Sequence, residues 1–499
     1  MRRTALPLRF LALLGLALSA ATPPGTLHAQ STPPLQHAAE AIVGRNADEW
    51  GILAWSLERK EPLISINADV VRTPASNNKV YTAIWALAQL GPDYRFPTDL
   101  LITAPIGADG VLHGDVVLRG SGDPAFGYPK FTKVPMEPLR IMARQLRARG
   151  VRVVEGDVIG DATVFDSLLY GPQWPRDTGN GASAYAPRVS GLPFQRNMLW
   201  VEAVAGGGKP AIRLDPPVEE IPVVSTVRNG GGRAWAVRNP YDDTIRVRGS
   251  IAGRGPFRFG IGVAQPALLT TGALRQALLQ EGIVVRGRAR LGPAPTGATL
   301  VHRHLSVPLS EMVMEMNRHS DNFFAEHLWK AAAAKATGHG SYAGGGPASA
   351  LFFHREAGVP FGELYQADGS GLSEYNRTTP NAMVRALIWA DRQPWSKFFH
   401  HSLPIAADHD GTLDRMFQGT PAAGNLHAKT GYINGVRTLS GFVKTASGET
   451  VVFSFLYNGR NTSGARGVQN ELGALLAGYA AHEASNGDST EATSPVARR

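Results

Sequence analysis

Three short groups of residues have the types and the spacing for nucleophilic catalysis by a serine. In chain order they are Ser76 with Lys79, Ser320 with Asn322, and Lys429 with Thr430 and Gly431. A serine hydroxyl is a weak nucleophile until a base removes its proton, and a lysine is such a base only when its pKa is lowered. The sequence has no cysteine, so it excludes a thiol nucleophile, a disulfide framework and a thiolate zinc site.

Ser76 and Lys79 stand at the start of a segment whose apolar residues have helical spacing up to Leu90, and Gly91 and Pro92 end that segment. Residues three positions apart share a helix face, so the two side chains are predicted to meet. The first backbone N–H groups of the helix would face a developing oxyanion. Burial beside a second cation, Lys429, would lower the pKa of Lys79.

Ser320 and Asn322 fall in a break between two predicted helices, near Arg318 to Asp321. Ser320 is positioned to relay a proton to a leaving amine. Asn322 is expected to bond a substrate amide and Lys79 together. Asp321 should point elsewhere and have a structural role.

Lys429, Thr430 and Gly431 lie on the first of three predicted antiparallel strands near the end of the chain. Lys429 and Thr430 are suited to hold a free carboxylate. Gly431 would let a substrate backbone lie close along the strand edge. The N–H group of Tyr432 is then a candidate second oxyanion donor.

The predicted secondary structure changes along the rest of the chain. A hairpin is predicted from Glu49 to Ile66, and helices from Pro138 to Gly150 and from Leu268 to Gly282. Short strands and turns dominate between Phe96 and Pro295. Residues 1–29 contain a basic start and an apolar run too short to span a bilayer, which predicts a removed secretory signal.

The net charge is +9 and the isoelectric point is about 9.7. The lysines and arginines are dispersed, and a secretory signal argues against a nucleic-acid partner. Attraction to an anionic cell wall or outer-membrane surface remains open beside an ordinary solvated basic surface. The sequence indicates no metal and no organic cofactor.

The three groups resemble the motif set of β-lactamases and penicillin-binding proteins. The long β-rich stretch between Ser76 and Ser320 is similar to the insertion of class C low-molecular-mass penicillin-binding proteins, the D-alanyl-D-alanine carboxypeptidase/endopeptidase family. Further stretches carry the same resemblance: Gly114 to Phe126, Tyr185 to Asn197, Asp368 to Pro380, Asp410 to Arg415 and His427 to Val443. Tyr432 departs from the pattern, which more typically has a small hydroxyl residue there.

The resemblance implies an α/β (α+β) fold, in which a transpeptidase/β-lactamase-like domain has an antiparallel sheet with helices on both faces. Two nested β-rich domains would be inserted into it. The expected boundaries are 31–97 and 296–482 for the catalytic domain, 98–118 and 190–295 for domain II, 119–189 for nested domain III, and 483–499 for a disordered tail.

The resemblance also implies Ser76 as nucleophile, Lys79 as base, Ser320 with Asn322 as the second element, and Lys429 with Thr430 and Gly431 as the third. The expected partners are peptidoglycan stem peptides and, as covalent inhibitors, β-lactam antibiotics. The expected compartment is the periplasm. Peripheral envelope association and a homodimer are further hypotheses. Two alternatives stay open: a β-lactamase, and a non-catalytic cell-wall-binding protein.

Overall fold

A computed structural model describes residues 33–174, 185–238, 244–253 and 256–480. The predicted secretory signal, the predicted C-terminal tail and the residue gaps between these ranges lie outside the described residues. The described helices are α1 Pro33–Val43, α2 Asn78–Leu90, α3 Glu137–Ala148, α4 Pro266–Gln280, α5 Leu309–His319, α6 Asn322–Thr337, α7 Tyr342–Ala357, α8 Pro380–Asp391, α9 Ser396–Ser402 and α10 Thr462–Gly478.

The described strands range from two to nine residues, and the two longest lie near the C-terminal end. The described strands are β1 Trp50–Ser56, β2 Glu61–Ile66, β3 Pro97–Ile102, β4 Val111–Leu112, β5 Val116–Arg119, β6 Val153–Val154, β7 Val158–Asp161, β8 Met198–Val204, β9 Ala211–Asp215, β10 Val223–Ser225, β11 Arg228–Asn229, β12 Ala234–Arg238, β13 Ile245–Ile251, β14 Phe257–Gly262, β15 Val284–Val285, β16 Ala289–Leu291, β17 Thr299–Leu305, β18 Leu364–Tyr365, β19 Arg377–Thr378, β20 His427–Ile433, β21 Val436–Lys444 and β22 Thr450–Asn458.

The two ends of the chain meet in one five-stranded antiparallel sheet. Its order is β2-β1-β22-β21-β20, so β1 from the N-terminal part pairs with β22 from the C-terminal part. The strand β20 lies at one edge. The predicted hairpin at residues 49–66 and the three predicted C-terminal strands are therefore confirmed, and they belong to the same sheet.

Helices cover both faces of this sheet, as predicted. Neighbouring residues on β1 and β22 point to opposite faces because a strand alternates its side chains. Leu53 and Val452 join a core with α2, α5, α6 and α8, while Ile52 and Phe453 join another with α1 and α10. The α/β class with an antiparallel sheet is thus confirmed.

The stretch between α2 and α5 builds a second core of its own. Its five-stranded sheet has the order β16-β7-β5-β3-β17, and α3 and α4 pack together against it. Three smaller sheets accompany it: β15-β6-β4, β14-β8-β9 and the group around β13.

The strand β7 and the helix α3 come from the segment predicted as nested domain III, residues 119–189. Both belong to the sheet layer expected for domain II, since β7 pairs with β5 and with β16. The division of the insertion into two domains at the predicted boundaries stays a prediction.

Helix ends follow the predicted signals. The helix α2 ends at Leu90, and Gly91 caps it with φ 85°. Helices predicted at 138–150 and 268–282 are α3 and α4, each displaced by one or two residues. The predicted break near Arg318 to Asp321 is the junction of α5 and α6.

Candidate active site

Ser76 lies in a short 3-10 turn, Ala75–Asn77, that leads directly into α2. Its side chain is half-buried, so its hydroxyl stays open to solvent on one side. The preceding residue, Ala75, is fully buried and has φ 46°, a left-handed conformation that is costly for a residue with a Cβ atom. The backbone before the candidate nucleophile is therefore held in an unusual conformation by its surroundings.

Lys79 is fully buried and directed at Ser76. Its Nζ atom donates to Ser76 Oγ at 3.0 Å, to Asn322 Oδ1 at 2.6 Å and to the carbonyl oxygen of Ser370 at 2.6 Å. Three acceptors match the three N–H groups of an ammonium. The predicted meeting of Ser76, Lys79 and Asn322 is present in the structure.

The junction between α5 and α6 presents Ser320 and Asn322 to the same space. Ser320 has φ 56° and ψ 39°, which ends α5 in a left-handed turn. Asp321 then caps α6 by accepting a hydrogen bond from the Phe324 N–H group at 3.1 Å. Its carboxylate also pairs with Arg196 from the insertion. Asp321 thus has the structural position that the sequence suggested for it.

Lys429 reaches the junction from the edge strand β20. Its Nζ atom donates to Ser320 Oγ at 2.9 Å and to its own strand at Thr430 O, at 2.8 Å. Thr430 is half-buried, and its hydroxyl donates to Thr412 Oγ1 at 2.7 Å. Three hydroxyl groups and an amine therefore lie together at the α5–α6 junction and the edge strand.

Gly431 lies where the edge strand β20 comes close to two other segments. A Cβ atom at this position would lie 2.1 Å from Thr438 Oγ1 on β21, 2.9 Å from Pro74 O and 3.0 Å from Ser76 N. The fold therefore leaves no room for a side chain here. The predicted role of Gly431 in letting a substrate backbone lie close stays a prediction.

Both lysines have lowered pKa values. Burial lowers the pKa of Lys79 to about 8, although the charges of Asp368, Glu326 and Asp321 act in the opposite direction. Burial lowers the pKa of Lys429 well below its usual value, and the charge of Lys79 lowers it further. A buried amine that can lose its proton near neutral pH therefore lies beside Ser76.

Two tyrosines flank the opening. Tyr432 is 55% exposed and Arg437 lies over its ring at 4.5 Å. Tyr185 is 52% exposed, and its carbonyl oxygen accepts from Asn322 Nδ2 at 2.6 Å. The amide oxygen of Asn322 thus accepts from Lys79, as predicted, and its amide nitrogen donates to the insertion. The sequence had predicted a bond from this amide to a substrate.

Some residues around the site were not singled out by the sequence. Ser370 contributes a backbone carbonyl, and Asp368 and Glu326 are fully buried carboxylates on either side of it. The buried pair of Asp368 and Trp174, joined at 2.8 Å, connects the insertion to this region. In the sequence, the family resemblance of the stretch Asp368 to Pro380 was the signal that could have pointed to Asp368 and Ser370.

His327 is fully buried on α6, five residues after Asn322. Burial lowers its pKa to about 3, and its Nδ1 atom pairs with the carbonyl oxygen of Phe323 at 2.7 Å. A neutral imidazole held in this way is part of the core and is not an acid or a base of the site.

The geometry combines a serine, a buried amine of lowered pKa, a second serine bonded to a second amine, and an edge strand. The model of the family described as D-Ala-D-Ala carboxypeptidase 3 (S13) matches residues 36–479. The chain belongs to the D-Ala-D-Ala carboxypeptidase 3 (S13) family. Members of this family are serine-type peptidases, so this S13 protein is a hydrolase.

Its relatives agree over most of the chain. A D-alanyl-D-alanine carboxypeptidase of Actinomadura sp. (strain R39) is 32% identical over 460 residues, which cover 88% of this S13 protein and 82% of the relative. The crystal structure of penicillin binding protein 4 (DacB) from Haemophilus influenzae superposes with a TM-score of 0.71 at 25% identity, covering 87% of this chain and 97% of that one. A complex of that same protein with a β-lactam gives a TM-score of 0.67 at 25% identity, with coverages of 87% and 97%.

Proposed function

We propose that this S13 protein hydrolyses the D-alanyl-D-alanine bond of peptidoglycan stem peptides through an acyl-enzyme on Ser76. The observation that carries the proposal is the contact of 3.0 Å between Lys79 Nζ and Ser76 Oγ inside a buried site. The family match and the carboxypeptidase relative support the substrate class.

The partners of Lys79 favour its role as the base. When the amine is neutral it has two N–H groups and one lone pair. Asn322 Oδ1 and the Ser370 carbonyl accept and cannot donate, so they take the two N–H groups at 2.6 Å each. The lone pair is then left for the proton of Ser76. As that proton leaves, Ser76 Oγ bonds to the carbonyl carbon of the penultimate D-alanine.

Ser320 and Lys429 are suited to the leaving side of the reaction. The C–N bond to the terminal D-alanine breaks as its nitrogen takes a proton from Ser320 Oγ. Lys429, at 2.9 Å from that hydroxyl, can replace the proton. Water later attacks the acyl-enzyme by the reverse route and releases the shortened peptide.

Substrate contacts are proposed for the edge strand. The free carboxylate of the terminal D-alanine would bind the hydroxyl of Thr430 beside Lys429, and the substrate backbone would extend along β20 beyond Gly431. The N–H groups of Ser76 and Tyr432 would receive the oxyanion. A cross-linked stem peptide presents the same D-alanyl carbonyl, joined to an amine of the neighbouring peptide in place of the terminal D-alanine. Attack by Ser76 would release that amine, so endopeptidase activity belongs to the same proposal.

Acylation by β-lactams follows from the same geometry, because these rings mimic the terminal dipeptide and acylate the same serine. The Haemophilus relative has been solved with a β-lactam, which supports this part of the proposal. We expect a stable penicilloyl adduct rather than rapid turnover.

Location in the periplasm is proposed from the predicted secretory signal at residues 1–29. Within the described residues, none of the helices has the length and apolar character needed to span a bilayer. Peripheral association with the envelope is proposed from the net charge of +9. A homodimer remains a hypothesis.

Intact-protein mass spectrometry after benzylpenicillin, followed by digestion of purified muropeptides, tests the proposal. We expect one penicilloyl group and loss of one D-alanine from pentapeptide muropeptides. The Ser76→Ala variant should do neither, while Ser65→Ala, at an exposed serine of β2, should do both. Rapid penicillin turnover without an adduct would instead indicate a β-lactamase, and wall binding without acylation a non-catalytic protein.

A further inference from the structure

The carbonyl group that binds Lys79 belongs to a turn held from two sides by carboxylates. The turn runs from Asp368 to Gly371. The N–H groups of Gly369 and Ser370 donate to the two oxygens of Glu326, at 3.2 and 2.6 Å. The Ser370 carbonyl then faces Lys79 Nζ at 2.6 Å. The position of that carbonyl therefore depends on Glu326.

The second carboxylate, Asp368, completes the turn from within. It accepts from the N–H groups of Gly371 at 2.7 Å and Ser373 at 2.6 Å. The Gly371 N–H and the Ser370 carbonyl belong to one peptide group. That group is thus polarised between Asp368 and Lys79, with a carboxylate at one end and an amine at the other.

The helix α6 carries two residues that act on Lys79, namely Asn322 and Glu326. Glu326 comes four residues after Asn322, so their side chains share a face of the helix. Asn322 bonds Lys79 directly, and Glu326 acts on Lys79 through the turn. Glu326 is fully buried, and the reaction proposed above gives it no part in bond making.

We propose that Glu326 is a positioning residue that sets the direction and the proton affinity of Lys79. It holds the Ser370 carbonyl in place for one N–H of the amine, and its negative charge favours the ammonium form. The inference rests on the proposed function, because it matters only if Lys79 is the base for Ser76.

The titratable groups that face Glu326 come from four elements. Lys79 lies on α2, Asp368 in the turn, Tyr342 on α7, and Lys330 on α6 itself, paired with Asp166 at 2.6 Å. Burial, and then the charge of Asp368, raise the pKa of Glu326 to about 8. Glu326 and Lys79 therefore change charge in the same pH range, and ionised Glu326 resists the loss of the Lys79 proton.

The test is the pH profile of penicillin acylation in the full-length Glu326→Gln variant. Glutamine keeps the shape and one acceptor oxygen but removes the charge. An ammonium loses its proton more easily when a neighbouring anion is removed. The acid limb, which is the rising part of the acylation rate on the low-pH side of the profile, should therefore move to lower pH by roughly one pH unit. Imperfect support of the turn should lower the plateau rate as well.

Glu315→Gln is the matched control. Glu315 is a buried glutamate on α5 that pairs with Lys130, and it is not among the charges that act on Lys79. Its acid limb should coincide with that of the wild type. In Glu326→Asp, the charge remains but the reach is shorter, so the plateau should fall while the limb stays.

An unmoved acid limb in folded Glu326→Gln would overturn the inference, whatever happens to the plateau. If that variant does not fold, Glu326→Asp still tests the inference, because a plateau rate equal to that of the wild type would overturn it. Wild-type protein that penicillin does not acylate would instead overturn the proposed function, so the two failures are distinguishable.

Discussion

Lys429 and Ser320 are joined by a hydrogen bond of 2.9 Å, although they are 109 positions apart and belong to different layers of the domain. The strand β20 carries the amine and the α5–α6 junction carries the hydroxyl. In the proposed reaction this hydroxyl passes a proton to the leaving amine, and Lys429 is the amine that lies within hydrogen-bonding distance of it.

Replacing Ser320 tests this relationship. Ser320→Ala should lower the rate of D-alanine release by roughly a hundredfold to ten-thousandfold, because a positioned proton donor contributes that much. Release of D-alanine from a pentapeptide muropeptide is the measurement. Ser310→Ala, on the preceding helix, should leave the rate unchanged; an equal loss in both variants would mean that the hydroxyl of Ser320 has no special part.

The pH dependence of acylation follows from Lys79. The base must be neutral, and burial places its pKa at about 8. The acylation rate should therefore rise with pH and level off above about pH 8. Stopped-flow measurement with a fluorescent penicillin checks this. Lys79→Arg should be inactive at every pH, because a guanidinium does not lose its proton in a protein. A rate independent of pH would contradict the assignment of Lys79.

Gly431→Ala tests the close approach of β20 to the turn Ala75–Asn77, which carries Ser76. The added methyl group would lie 2.1 Å from the hydroxyl of Thr438 on β21, and 2.9 and 3.0 Å from the carbonyl oxygen of Pro74 and the amide nitrogen of Ser76. Displacing that turn by about 1 Å should lower acylation roughly a hundredfold. Gly467→Ala is the control, since nothing lies within 4 Å of its Cβ position. Normal acylation by Gly431→Ala would show that the strand can move away without harm.

The ion pair between Arg196 and Asp321 fastens the insertion to the α5–α6 junction. Its side chains are 21% and 10% exposed. Arg196→Gln should lower the free energy of unfolding by about 1–3 kcal/mol, because a mostly buried carboxylate loses its partner. Urea denaturation is the measurement.

The matched control is Arg258→Gln. Arg258 pairs with Asp215, and their side chains are 47% and 45% exposed. Such a surface pair contributes less than about 1 kcal/mol. Equal losses for the two variants would mean that burial of the Arg196 pair has no energetic weight.

The sequence predicted the parts of the site that depend on local periodicity. Three-residue spacing on a helix was enough to pair Ser76 with Lys79, and a break in the helical pattern located Ser320. The partners Ser370 and Tyr185 could not be predicted, because they contribute backbone carbonyls, which every residue has. The contacts that leave no room for a side chain at Gly431 could not be predicted either, since they depend on which segments pack against the strand.

Local patterns predicted individual strands and helices, whereas the fold class was implied by the family resemblance. The resemblance also implied that the catalytic domain is assembled from both ends of the chain, but it did not specify that β1 pairs with β22. The placement of β7 and α3 beside the strands of residues 97–119 depends on contacts between distant segments, and composition does not report those.

The pairing of β1 with β22 also sets an order of events during synthesis. Ser76 and Lys79 leave the ribosome early, whereas the strands that complete their sheet, and the amine of Lys429, are among the last parts to emerge. An unfinished chain therefore carries a serine with no groove around it and cannot attack a peptide bond. The site is complete only when the last strands have joined the sheet.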